Sequence, residues 1–275
     1  MTVLPPTNDV VVGTSPGFRF PKINVLNLLG EIFLTAGALI LLFLGWQLWF
    51  NDLVVGASQS GASSALSEQW NTPTSPSAVT GSPSITATVT PIAAPLVLPS
   101  TDAPAVVRQP AANAAFANLI VPRLGADFRR TISHGVGLDV LNNSSAGIGH
   151  YPDTQLPGAV GNFAVAAHRT TYGKSFHDIN TFVPGDHIFV ETEAGWYRYV
   201  YRNSVYVYPT GVDVINPVPQ VRNAAPGDRL ITMTSCNPYF SAAERIIAYG
   251  VFDAWFPRAG GMPNELSELV ALKDQ

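Results

Sequence analysis

The chain has 275 residues, a formal charge of -4, 12% charged side chains and a single cysteine. Such a length accommodates one large domain or two small ones, and the uneven composition favours one. The weak, slightly acidic charge excludes the electrostatic footprint of a nucleic-acid binder, and a lone thiol excludes an intramolecular disulfide.

From Ile32 to Phe50 nineteen residues carry no charge. As a helix rising ~1.5 Å per residue, this run approaches the ~30 Å thickness of bilayer hydrocarbon. Arg19 and Lys22 precede it, Asp52 follows, and Trp46 and Trp49 stand where an aromatic belt meets the outer interface. The pattern predicts a cytoplasmic tail (1–22), a single-pass transmembrane anchor (23–50) and export of the remainder to the extracellular side. A cleaved signal peptide is the competing reading, with Val55-Gly56-Ala57 as a passable processing site, but the apolar run exceeds the usual h-region. Either reading exports the cysteine.

Residues 51–115 are rich in Ser, Thr, Pro and Ala, with no charge between Glu68 and Asp102. Too few large apolar side chains occur there to offset the entropy of ordering, which predicts a disordered, partly polyproline-like spacer. An edge strand over Ile92–Leu98 is the alternative, weakened by prolines on both sides.

Residues 116–260 read as the folded domain. Short runs rich in β-branched and aromatic residues, at Leu119–Pro122, Asn162–Ala167, Ile188–Glu191, Trp196–Tyr208, Arg229–Thr234 and Ile246–Phe252, predict an all-β sandwich or closed barrel. The tail, 261–275, holds one short helix at Asn264–Lys273, with Leu266, Leu269, Val270 and Leu272 spaced for packing.

The chemistry gathers at strand ends. Cys236 closes the run Arg229–Thr234, and Arg245 opens the next run nine residues later. Paired as a hairpin, the two would face each other at its mouth, where opposed Cβ atoms lie ~4.5–5.5 Å apart. His168 ends the run Phe163–Ala167. A thiol on the oxidising side of a membrane, without a disulfide partner, points to nucleophilic use. Each residue taken alone has a plainer account: a buried inert thiol, a solvated arginine, a hydrogen-bonded histidine.

Together, Gly149-His150-Tyr151-Pro152, Leu156-Pro157-Gly158, Gly161-Asn162, His168-Arg169-Thr170-Thr171-Tyr172-Gly173, Thr232-Met233-Thr234-Ser235-Cys236 and Arg245 resemble a sortase, most closely the actinobacterial class E type. The resemblance covers about residues 116 to 257. It implies an eight-stranded sortase-type barrel with short helices and a catalytic set of His168, Cys236 and Arg245. It also implies a substrate groove to which Ser235, Thr234 and Tyr172 are assigned, although for Tyr172 a buried, singly bonded tyrosine is an equal account. Cleavage of a C-terminal Leu-Pro/Ala-x-Thr-Gly-like signal after Thr would proceed through a thioacyl enzyme. The secreted protein would then pass to an amine of a peptidoglycan precursor or a pilin. Ala167, Ser235 and Asn237 stand where the family more often has Gly, Thr and His, which bears on substrate preference.

No cofactor or metal is expected: His134, His150, His177 and His187 show no helical i, i+4 pair, and no carboxylate cluster compels calcium. His150, in a Gly-rich turn, reads as structural. Two other functions compete. An L,D-transpeptidase-like cross-linker would have Gly before the cysteine, where Ser235 stands. A non-enzymatic wall-binding β-domain that was itself anchored would end in a sorting motif, whereas the sequence given ends Leu-Val-Ala-Leu-Lys-Asp-Gln.

Overall fold

The computed structural model describes residues 24–46, 50–72 and 96–273. Helix α1 runs Val25–Gly45, and Asn24 caps it by accepting the Leu26 amide proton at 3.2 Å. It buries no side chain and belongs to a compact unit of its own. Among the described residues it is the one helix long and apolar enough to cross a membrane. It starts seven residues before Ile32 and includes Glu31 near its first turns. Residues 1–22 and Trp49 lie outside the described residues.

The second unit is a closed barrel with strand order β1-β2-β3-β4-β7-β8-β6-β5. In chain order the strands are β1 (Ala115–Ile120), β2 (Arg129–His134), β3 (Ile148–His150), β4 (Gly161–Ala167), β5 (His187–Thr192), β6 (Gly195–Val207), β7 (Arg229–Asn237) and β8 (Glu244–Pro257). The pairs β2/β3 and β4/β7 are parallel and the others antiparallel. Every residue of β4 is buried, as the apolar run Phe163–Ala167 requires of a strand covered on both faces, and the polar Asn162 is satisfied by Thr232 and the Asn216 carbonyl. The interior holds Phe163, Val165, Ile231, Met233, Ile246 and Ala248 among others. Between β2 and β3 lies a single helical turn, α3 (Leu138–Leu141), and α4 (Asn264–Lys273) follows β8.

The spacer expectation needs correcting in two places. Asn51–Asn71 form helix α2, which packs on β1, β2 and β5. Its buried residues are Gly56, Gln59, Ser63 and Ser67, a helically spaced stripe of small and polar groups. Packing through hydrogen bonds stabilises it where intrinsic propensity does not. Ser67 donates to Glu191 at 2.6 Å, and the Asn118 amide donates to the Ser63 carbonyl at 3.0 Å. Glu191, fully buried, also receives Arg129 at 3.3 Å and Arg258 at 3.1 Å.

Residues 96–114 contain no helix or strand, so Leu96–Leu98 are not the alternative edge strand, yet they are tied to the barrel. Ser100 N–H donates to Trp255 O at 2.7 Å, Val107 N–H to Pro157 O at 3.1 Å, and Tyr197 Oη to Ala105 O at 2.5 Å. Prolines suit such a strap, since they remove donors that an isolated extended segment would otherwise have to satisfy. Residues 73–95 lie outside the described residues.

Candidate active site

Strand alternation decides which side chains leave the barrel interior. Ile231 and Met233 on β7, Phe163 and Val165 on β4, and Ile246 and Ala248 on β8 point inward. Thr234 and Cys236, Ala166 and its successor His168, and Arg245 with Ile247 therefore share the outer face. Cys236 and Arg245 are direct partners in the antiparallel register of β7 and β8. On the other side of β7, Ala166 pairs with Thr234 in the parallel ladder, so two further residues bring His168 level with Cys236. The three residues thus lie on one face at the ends of three adjacent strands, with the half-buried thiol on the middle one.

Each flank is held by its own contacts. His168 Nε2 lies 2.8 Å from Asn142 Oδ1, so with the amide oriented this way Nε2 carries the proton and Nδ1 is the basic nitrogen. Tyr172 packs against the imidazole at a centroid separation of 5.1 Å, its own backbone left-handed at φ 51° and its ring exposed. Burial lowers the His168 pKa below the ordinary 6.5, because an imidazolium is poorly solvated there. Arg245 spends one nitrogen, Nη1, on the Ala242 and Glu244 carbonyls, both at 2.9 Å. Its Nε and Nη2 have no partner among the described residues, which leaves donors available on the face that carries the thiol.

The three residues assigned to substrate binding separate. Thr234 faces the outer groove, its hydroxyl 3.0 Å from Tyr151 Oη, and with Arg245, Ile247 and the segment Val207–Ile215 it lines a pocket of about 90 Å³. Tyr172 stands exposed beside His168. Ser235 is a correction: the alternation that sends Thr234 outward turns Ser235 inward, where its hydroxyl donates to the Ala167 carbonyl at 2.8 Å. It ties β7 to β4 under the site and does not reach the groove.

Two supporting groups were not readable as such. Arg169, 5% exposed, donates to Asn237 Oδ1, to Asn180 Oδ1 at 2.9 Å and to Cys236 O at 3.4 Å. Asn237 Nδ2 in turn donates to Glu244 Oε2 at 2.8 Å, closing the mouth of the β7/β8 hairpin behind the thiol. Asn142 is the other, in a Leu-Asn-Asn-Ser-Ser stretch that looks like an ordinary turn. Only the alternation that points Arg169 away from His168 was a usable signal.

Among the described residues no group of three or more His, Cys, Asp or Glu could hold a metal ion. His134 and His150 instead face each other, Nδ1 to Nδ1 at 3.0 Å, and His150 Nε2 lies 3.1 Å from Gln155 O. One shared proton satisfies the pair. Burial first, then the neighbouring His134, lowers the His150 pKa to about 4.

A closed barrel carrying cysteine, histidine and arginine on adjacent strand ends has the architecture of a cysteine acyl-transferase. The model of the sortase domain matches residues 119–253. The chain is 31% identical to sortase SrtE1 of Streptomyces coelicolor over 86% of its own length, spanning 60% of that relative. Among solved structures it resembles the SrtA sortase from Actinomyces oris (38% identity, 60% of this chain and 94% of that one, TM-score 0.57). It also resembles sortase E1 from Streptomyces coelicolor with a tripeptide in the active site (36%, 56% and 97%, TM-score 0.51). The chain belongs to the sortase family, and its relatives place it with class E.

Proposed function

We propose that this protein is a membrane-anchored extracellular transpeptidase that cleaves a C-terminal Leu-Pro/Ala-x-Thr-Gly-like signal between Thr and Gly and joins the new carboxyl end to an amine of peptidoglycan or its precursor. The placement of His168, Cys236 and Arg245 on one outer face carries this reading. The tripeptide in the active site of sortase E1 supports a peptide donor here as well. Helix α1 supplies the anchor, with the N-terminus cytoplasmic by the charge distribution.

Cys236 Sγ, as the thiolate, attacks the threonine carbonyl carbon. Negative charge then develops on the carbonyl oxygen, and the unspent Nε and Nη2 donors of Arg245 are placed to receive it. As the C–N bond to glycine breaks, His168 gives its proton to the leaving amine, and the thioacyl enzyme remains. The acceptor amine adds to the thioester carbon, returns a proton to His168, and the C–S bond breaks to release Cys236. Two easier displacements replace one direct amide exchange, and an amine held beside the thioester competes with water by proximity.

The lowered His168 pKa has a cost in this scheme: fewer copies than of an ordinary histidine carry the imidazolium needed for leaving-group protonation at neutral pH. Turnover should therefore be slow and bell-shaped in pH. The deciding experiment incubates full-length protein in detergent with a Leu-Ala-x-Thr-Gly peptide and a glycine amine, read by mass spectrometry. A thioacyl adduct and aminolysis product from wild type, both absent with Cys236→Ala, support the reading; a donor peptide left intact by wild type or cleavage by Cys236→Ala overturns it.

A further inference from the structure

Gln59 lies on α2, more than a hundred residues before His168 in sequence, and its side chain is fully buried. Its amide nitrogen donates to the Tyr172 carbonyl at 3.0 Å and the Asn143 carbonyl at 3.2 Å, and its oxygen accepts from Ser175 Oγ at 3.2 Å. Those two carbonyls belong to the two segments that touch the His168 ring. Asn143 adjoins Asn142, the partner of Nε2, and Tyr172 packs on the imidazole.

The barrel is shaped around this side chain. A Cβ at Gly147 would stand 2.3 Å from Gln59 Nε2, and one at Gly173 would stand 2.5 Å from its Oε1. Both glycines also have left-handed backbones, φ +78° and +83°. Side chains at either position would collide with Gln59 and strain the turn. Without it the carbonyls of Tyr172 and Asn143 would each lose the donor that ties their segments to α2.

We propose that Gln59 is a positioning residue that fixes the imidazole of His168 by clamping both chain segments packed against it. The inference rests on His168 being the proton-transfer group of the proposed reaction. It makes α2, the helix immediately following the anchor segment, part of the active-site framework. A barrel cut to begin after α2 would lack one of its supports.

Docking of α2 alone would also explain a buried glutamine, so the test separates docking from clamping. Full-length protein in detergent is made with histidine labelled for NMR titration, as wild type, Gln59→Leu and Ser67→Ala. Ser67 docks the same helix through Glu191, far along α2 from Gln59. Gln59→Leu should move the His168 titration upward toward the ordinary histidine value and lower kcat about tenfold with KM for the donor peptide within about twofold. Ser67→Ala should lower the melting temperature and change neither. An unmoved His168 titration with unchanged kcat in folded Gln59→Leu overturns the proposal, as does Ser67→Ala reproducing both changes. Should Gln59→Leu not fold, Ser175→Ala removes only the bond that orients the Gln59 oxygen, and the His168 titration is read in the same way: a smaller upward shift supports, none overturns. A wild type without transfer activity sinks the transpeptidase reading, while the titration still decides whether Gln59 holds the ring.

Discussion

The mouth of the β7/β8 hairpin and the seam between α2 and the barrel are both rich in polar side chains, but they use them differently. At the seam, Glu191 receives Ser67, Asn118, Arg129 and Arg258, and Gln59 commits both its amide nitrogen and its oxygen. At the mouth, Cys236 is half-exposed and Arg245 leaves two nitrogens without partners among the described residues. A seam of that kind holds shape, whereas groups with unspent hydrogen-bonding capacity are in place for a molecule that arrives later. The division is incomplete, since the Nε atoms of Arg129 and Arg130 at the seam are buried without a partner.

The contrast can be broken from either side. At the mouth, Cys236→Ala should remove transfer altogether, and Arg245→Ala should lower kcat roughly 100- to 1000-fold, the loss of an oxyanion donor, with melting temperature within a few degrees of wild type. Peptide turnover alongside a thermal melt checks both, and an Arg245→Ala protein that turns over normally would place the oxyanion elsewhere. At the seam the sign reverses. Glu191→Ala takes a shared carboxylate from the partly buried Arg129 and Arg258 and should cost about 3 kcal/mol in chemical denaturation, with any loss of activity following the unfolded fraction.

Between these extremes lies the His134/His150 pair, whose effect depends on pH. A histidine with a folded pKa below its unfolded value contributes fully above about 6.5 and loses that contribution as pH falls toward the folded value. For His150, lowered to about 4, linkage at ~1.36 kcal/mol per unit gives a loss of about 2 kcal/mol between pH 7.5 and pH 5. Denaturation curves at the two pH values should show His150→Gln losing that much less than wild type. An equal loss in both proteins would mean that His150 does not titrate in this window. The smallest effect belongs to Thr234→Val, which removes the Tyr151 contact and should cost about 1 kcal/mol of stability, with KM for the donor peptide rising if the pocket holds peptide.

Long-range pairing at the mouth was legible because a strand ending in Cys236 and another beginning at Arg245 leave one simple hairpin register, and β4 announces itself by an unbroken apolar run. Strands β2 and β3 were missed. Arg129-Arg130-Thr-Ile-Ser-His has one large apolar residue, and Ile148–His150 is too short to show a period. Helix α2 was missed for a related reason: its buried stripe consists of Gly56, Gln59, Ser63 and Ser67, and apolar periodicity is blind to a face that docks by hydrogen bonds. Ser235 failed differently. Proximity to the cysteine suggested the groove, but adjacent residues of a strand face opposite sides.

Closure of the sheet has a consequence for recognition. With β5 returning to β1 and β7 held between β4 and β8, the strand that carries Cys236 is not an edge strand that an incoming polypeptide could extend. On the proposed function, an extended donor over Cys236 is gripped by side chains and loop amides. On that same proposal, the Val207–Ile215 connection, which lines the pocket with Thr234 and Arg245, is the segment to exchange: grafting it between relatives should move the donor preference with it.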